Sequence, residues 1–214
     1  MTAETPSVIY HRARDTKEIS LEDANKILEA RDPYFCAAYA INIIQGPWKE
    51  AELIIKDNTY CSILYAQEAL KGRFFDAEEN ILKDQVFYIY QYCRDIMQGP
   101  WKEAEPLIAR NMHFSLLYAS NILKSRFPLG EEIISKNPDF SYQYARKIIK
   151  GPWEKGEESI SQRLKLSFSY STKILKAPFI KCQRLFEFNE SSNAEIKNKY
   201  REFLIKNGFN EWLI

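Results

Sequence analysis

Hydrophobic positions along the chain form a pattern that starts afresh about every 26 residues. Its clearest mark is a Tyr inside a helical stretch, at Tyr39, Tyr65, Tyr92, Tyr118, Tyr144 and Tyr170, in steps of 26, 27, 26, 26 and 26. A fixed internal period of this size is the signature of a solenoid, whose units bury their apolar faces only against neighbouring units. Two helices are predicted per unit. The first carries a large apolar residue, a small one three later and an aliphatic four after that, as in Trp48/Ala51/Ile55, Phe74/Ala77/Ile81, Trp101/Ala104/Ile108, Phe127/Gly130/Ile134 and Trp153/Gly156/Ile160. These positions share one helical stripe, the face to be buried. Leu21/Ala24/Leu28 and Phe179/Cys182/Phe186 read as the first and seventh copies.

The second helix is centred on the tyrosine. Beside it runs a ladder of small residues at i, i+4: Cys36/Ala40, Ser62/Ala66, Ser115/Ala119, Ser141/Ala145 and Ser167/Ser171, interrupted only by Ile89/Cys93. Small side chains there let neighbouring helices approach closely. Gly46, Gly72, Gly99 and Gly151 end second helices and are expected in the left-handed conformation. Pro47, Pro100, Pro152 and Pro178 follow, at the expected first position of the next helix. Asp32-Pro33, Asp57-Asn58, Asp84, Asn111 and Asn137-Pro138 supply N-cap and turn chemistry at the other corner. Pro-Trp corners alternate with Arg73-Phe74 and Arg126-Phe127, so Arg73 and Arg126 are either relics of a duplicated pair or positions facing a partner.

The expected fold is therefore all-α: an α-solenoid of about seven helix-turn-helix repeats over residues 19–190. A loosely ordered polar N-terminal arm (1–18) precedes it, and a C-terminal capping helix (191–214) follows, opened by a capping box at Ser192 and Glu195 and lacking the signature of a tyrosine beside small residues.

Composition narrows the function classes. Basic and acidic residues number 30 and 29, a net charge of +1, which offers no long-range field for nucleic acid or an anionic membrane. No apolar stretch is long enough to span a bilayer, and the N-terminus has no apolar leader, so a cytoplasmic location is expected. Cys36, Cys61, Cys93 and Cys182 have no metal-ligand spacing and read as small core residues. His11 and His113 stand apart from any nucleophile or ligand pattern. Carboxylate pairs such as Glu50/Glu52, Glu103/Glu105 and Glu131/Glu132 recur in the first turns of first helices, where the helix dipole favours acids. One active site needs one unusual pair, so the reading is non-catalytic, with no cofactor and no metal.

Specificity in repeat proteins sits at positions that vary between units. Residues two before and two or three after each tyrosine vary here, and Tyr and Arg are enriched at binding hot spots. The candidate partner-binding residues are Tyr90, Arg94, Tyr142, Arg146, Lys147, Phe168 and Lys173, with Arg73 and Arg126 at the corners.

Residues 114–124 (Phe-Ser-Leu-Leu-Tyr-Ala-Ser-Asn-Ile-Leu-Lys) and Glu131–Ile134 resemble a family of short α-helical repeats of unknown function. That family is built on Leu-x-Tyr-Ala-Ser-x-x-Leu-Lys helices and occurs in bacterial and viral proteins. The Gly-Pro-Trp-Lys-Glu-Ala-Glu strings at 46–52 and 99–105 are similar to Gly-x-Trp-x-Glu-Ala-Glu repeats of phage proteins. The resemblance implies a helical binding module acting on a protein partner, in the form of a phage-encoded stoichiometric inhibitor of a host defence protein. The alternative is nucleic-acid or nucleotide binding by Tyr and Arg on the inner face.

Overall fold

The computed structural model describes residues 4–183 and 194–213. It divides into two compact units, Met1–Ala104 and Glu105–Ile214. Unit 1 holds α1 (Pro6–Thr16), α2 (Leu21–Glu29), α3 (Pro33–Tyr39), α4 (Glu52–Ile55), α5 (Thr59–Tyr65), α6 (Phe75–Lys83) and α7 (Val86–Tyr92). Unit 2 holds α8 (Glu105–Ile108), α9 (Met112–Leu117), α10 (Pro128–Ile134), α11 (Pro138–Tyr144), α12 (Glu154–Ile160), α13 (Leu164–Tyr170) and α14 (Ala194–Lys206). Within each unit, first and second helices alternate and pack on their neighbours in chain order, and no strand occurs among the described residues. The chain is an all-α repeat solenoid.

The six tyrosines are fully buried and occupy equivalent niches. Each ring packs on the aromatic that opens the next hairpin. Tyr39–Trp48, Tyr65–Phe74 and Tyr92–Trp101 lie 5.2, 5.3 and 5.3 Å apart in unit 1. Tyr118–Phe127, Tyr144–Trp153 and Tyr170–Phe179 lie 5.1, 4.7 and 5.0 Å apart in unit 2. Each hydroxyl turns back to its own hairpin. Trp48, Phe74, Phe127 and Trp153 donate their backbone N–H to Tyr65, Tyr92, Tyr144 and Tyr170 at 2.7, 2.8, 2.8 and 2.7 Å. One residue thereby joins two successive hairpins.

The small-residue ladder is buried throughout, and its serines do more than save space. Ser62, Ser115, Ser141 and Ser167 donate Oγ–H to the carbonyls of Ile55, Ile108, Ile134 and Ile160 at 3.0–3.1 Å. Those carbonyls lie at the ends of first helices, where the helix itself offers no donor.

Five sequence expectations are corrected. Residues 6–16 form α1 rather than a loose arm: Thr5 caps it, and Ile9, Tyr10 and Ala13 are buried against α2 and α3. The first repeat is shifted by one residue. Leu21 is 77% exposed while Ile27 is fully buried, because Ser20 takes the place of the opening aromatic and accepts from Tyr39 Oη through its carbonyl.

Corner glycines are not the left-handed residues. Gln45, Lys71, Gln98, Lys124, Lys150 and Lys176 are, with φ of 50–57°. Each second helix continues past its tyrosine in wider π-type turns (Ala40–Ile44 is the first), and the left-handed residue closes the last turn. The next N–H then reaches back, as in Gly46 N–H to Ala40 O at 3.2 Å. A left-handed L-residue costs roughly 1–2 kcal/mol, offset here by hydrogen bonds to carbonyls that the helix end leaves unpaired. Pro47 and Pro152 lie outside the helix, whose first turn starts after Trp48 and Trp153; this frees those backbone N–H groups for the tyrosine hydroxyls.

Last, α14 does carry an equivalent tyrosine. Tyr200 is buried and its hydroxyl accepts from Phe179 N–H at 3.2 Å. The broken spacing from Tyr170 hides it in the sequence. Phe186, Ser192 and Ile214 lie outside the described residues.

Two substitutions test this packing by chemical denaturation. Tyr144→Phe keeps the ring but strands the buried Phe127 N–H, and is expected to lose about 1–3 kcal/mol. Gly130→Ala places a Cβ 2.6 Å from Phe127 Cδ1 and 2.7 Å from Ser115 Cβ, and is expected to lose about 1–3 kcal/mol by overpacking. An unchanged midpoint in Tyr144→Phe would show that the hydroxyl contributes nothing.

Candidate partner-binding surface

A phenol buried beside a backbone donor still needs an acceptor for its own proton. Tyr65, Tyr92, Tyr118, Tyr144 and Tyr170 donate to Glu52, Glu78, Glu105, Glu131 and Glu157 at 3.1, 2.9, 3.3, 2.9 and 3.1 Å. Burial raises the phenols of Tyr65, Tyr92, Tyr144 and Tyr170, Tyr65 to about 12, so these four remain protonated donors at neutral pH. One carboxylate of each recurrent pair is thus an internal partner rather than a residue placed only for the helix dipole. Nearby cations neutralise it: Lys49 with Glu52 at 2.6 Å and Lys181 with Glu157 at 3.2 Å. In the Arg-Phe hairpins, Arg73 grips Glu78 with two bonds of 2.7 Å, and Arg126 grips Glu131 with bonds of 2.8 and 2.9 Å. The alternation of Pro-Trp with Arg-Phe corners is therefore two ways of countering the same buried charge.

The remaining candidate residues scatter. Tyr90 and Tyr142 are 4% and 9% exposed and pack between helices, offering little surface to a partner. Arg94 is exposed, lies 5.7 Å over the Tyr90 ring and is paired with Asp95 at 2.6 Å. Phe168 is half-buried and meets Tyr200 edge-on at 6.4 Å. Arg146, Lys147 and Lys173 are exposed on the π-type extensions of α11 and α13, and none forms an ion pair among the described residues.

A different row faces outward. Positions five and one before the tyrosine and three after it share one helical face. In unit 1 they read Tyr34/Ala38/Asn42, Tyr60/Leu64/Glu68 and Phe87/Gln91/Asp95; in unit 2, His113/Leu117/Asn121, Asp139/Gln143/Lys147 and Lys165/Ser169/Lys173. Tyr34, Tyr60 and Phe87 are 55%, 50% and 51% exposed, large aromatics held open to solvent on successive hairpins. They were not singled out from the sequence because only positions two before and two or three after each tyrosine were compared, and these lie five before it. A signal was available in the aromatic doublets Tyr34-Phe35 and Phe87-Tyr88, since neighbours on a helix cannot both face inward.

Between α1, α3 and α5 a cleft of about 230 Å³ opens, lined by Tyr10, Tyr34, Ala37, Ile41, Tyr60 and Leu64. Asn42 and Glu68 give it a polar side, and Asn42 donates to Tyr10 Oη at 3.0 Å. The cleft can take an apolar side chain with a hydrogen-bonding neighbour.

Cys36, Cys61, Cys93 and Cys182 are buried, and burial raises Cys36 and Cys182 to about 12 and Cys61 to about 11. His11 and His113 are exposed; His113 packs edge-on against Phe114 at 5.3 Å. Among the described residues no cluster of His, Cys, Asp and Glu has metal-binding geometry, every buried side-chain nitrogen or oxygen has a partner, and no helix is long and apolar enough to cross a membrane.

Fold and surface together define a helical-repeat protein with an internally paired polar core and a variable outer row. No protein-family profile, no curated protein and no solved structure matches the chain.

Two solution properties follow. Burial disfavours the charge of Glu131, yet the hydrogen bonds from Arg126 and Tyr144 outweigh it and hold the carboxyl below its ordinary value of 4.5. A depressed folded-state value stabilises above the unfolded value and is lost as pH falls through the folded one. Glu131→Gln should therefore be less stable than the wild type at neutral pH, with the gap in denaturation midpoint closing as pH falls below 4.5. The native thiols should resist alkylation under mildly basic conditions and all four should react once unfolded; rapid native labelling of Cys36 or Cys182 would contradict their burial.

Proposed function

We propose that the chain is a non-catalytic helical-repeat module that binds a protein partner through the outer row of its second helices. One observation carries this reading: the recurrent polar residues are paired inside their own hairpins, while the outer row changes chemistry from hairpin to hairpin. Three exposed aromatics beside an apolar cleft have the anchor-and-pocket character of a binding hot spot. Resemblance to phage repeat proteins suggests the particular form, a stoichiometric inhibitor of a host defence protein acting in the host cytoplasm.

Nucleic-acid binding is the second reading, favoured by the unpaired Arg146, Lys147 and Lys173 in unit 2. The exposed aromatics that could stack on bases lie instead in unit 1. A base-stacking groove needs both on one track.

Affinity capture from a host lysate tests the proposal with the triple variant Tyr34→Ala/Tyr60→Ala/Phe87→Ala. All three side chains are exposed, so the fold should survive, as helical circular dichroism would check. The wild type should retain one protein at fixed stoichiometry and the variant should bind it at least tenfold more weakly. Equal capture by both would refute the assignment of this row, and recovery of nucleic acid with a steep salt dependence would favour the second reading.

A further inference from the structure

The near-neutral net charge conceals two oppositely charged halves. Residues 1–104 hold 12 basic and 17 acidic residues, whereas residues 105–214 hold 18 and 12. The two units also differ in which charges stand outside ion pairs at one kind of corner, where a second helix gives way to the next first helix.

In unit 1 the cations of these corners are paired: Lys49 with Glu52, Lys71 with Glu68 and Arg73 with Glu78. Glu50, Asp76 and Glu103, each two residues after an opening aromatic, are exposed and form no ion pair among the described residues. Leu53 and Phe75 stand beside them, 64% and 68% exposed.

In unit 2 the sign reverses. The positions equivalent to Glu50, Asp76 and Glu103 are Leu129, Lys155 and Lys181, the two lysines being paired with Glu132 and Glu157. The left-handed corner residues Lys124, Lys150 and Lys176, with Lys147 and Lys173 in the preceding turns, are exposed and form no ion pair among the described residues. Glu154 and Glu158 are the exposed carboxylates nearby that remain unpaired. Leu129 and Ile180 are 56% and 65% exposed at the same corners.

Each unit thus presents a charged rung with two exposed apolar side chains, and the two rungs are complementary. We infer that copies of this chain associate head to tail, the basic corners of unit 2 in one copy docking on the acidic corners of unit 1 in another. Complementary charge steers and registers such a contact while the apolar residues supply its dry centre. The contact is heterologous, so it extends into a chain or closes into a ring. It uses the corners, and so stands independently of the outer-row reading above.

The repeats themselves provide tolerated substitutions. Lys155 and Lys181 already occupy the position of Glu50, and Gln45 and Gln98 the position of Lys124. Variant A is Glu50→Lys/Asp76→Lys/Glu103→Lys; variant B is Lys124→Gln/Lys150→Gln/Lys176→Gln.

Sedimentation velocity of the full chain reads the outcome. The wild type should form dimers and larger species at about 0.1 M salt and dissociate near 1 M, as the screening length shrinks from roughly 10 Å to roughly 3 Å. A and B alone should each weaken association at least tenfold. Mixed, they should form a 1:1 dimer that grows no further, because A keeps its basic corners and B its acidic ones. Helical circular dichroism confirms that both fold. A wild type that stays monomeric up to about 0.1 mM, association indifferent to A and B, or a mixture of A and B that stays monomeric overturns the proposal. So does a monomeric wild type whose binding to a DNA oligomer is lost in B, an outcome that assigns the basic corners to nucleic acid.

Discussion

The structure depends on a buried phenol that must satisfy both its lone pair and its proton. A hydroxyl in the interior costs about 1–3 kcal/mol if left unpaired. Tyr65, Tyr92, Tyr144 and Tyr170 meet that demand through the backbone N–H that opens their own hairpin and a glutamate four residues into the same helix, while Tyr39 donates to the Ser20 carbonyl. Each ring meanwhile fills the gap to the next hairpin's aromatic. The hydrogen bonds fix the fold of one hairpin and the ring fixes the spacing to the next, so the 26-residue period is set by one side chain at once polar and large. The glutamate then needs a cation, and the four pairs formed by Lys49, Arg73, Arg126 and Lys181 follow from that need.

How far this was legible in the sequence depends on whether a constraint is periodic. The helix pair, the buried tyrosines and the small-residue ladder repeat at a fixed interval, and periodicity reveals burial. The Tyr–Glu bond repeats too, but it joins residues 13 or 14 apart on different helices, and the dipole preference for acids gave those glutamates another reason to be there. The ends were the least legible parts. Ser20 breaks the aromatic pattern and shifts the register, while Tyr200 stands 30 residues after Tyr170 and loses the beat. The left-handed corner went to Gln or Lys because a helix end demands a geometry, and glycine is only the least costly way to adopt it.

The candidate surface was partly legible for the same reason. Variable positions can be listed from an alignment of the repeats, but which of them face water is a matter of packing. Tyr90 and Tyr142 vary and are buried, since the space between hairpins tolerates Ala37, Ile63 and Tyr142 alike. Arg73 and Arg126 are conspicuous because they serve Glu78 and Glu131. Tyr34, Tyr60 and Phe87 were passed over because they lie five residues before the tyrosines, beyond the positions compared. A repeat protein conceals its binding surface among residues that look like imperfect copies of its core.

Helix electrostatics alone does not account for the charge reversal between the units. The dipole favours acids in first turns and bases in last turns by about 0.3–1 kcal/mol each. That explains Glu50, Asp76 and Glu103, and it explains Lys124, Lys150 and Lys176. It does not explain Lys155 and Lys181, which sit in first turns where the dipole opposes them and are held there by Glu132 and Glu157. Nor does it explain Gln45 and Gln98, which leave two of the three unit 1 corners without the favoured cation. Local pairing thus accounts for the two first-turn lysines, and the exposed acids of unit 1 and the corner lysines of unit 2 are the charges left for a contact outside the hairpin.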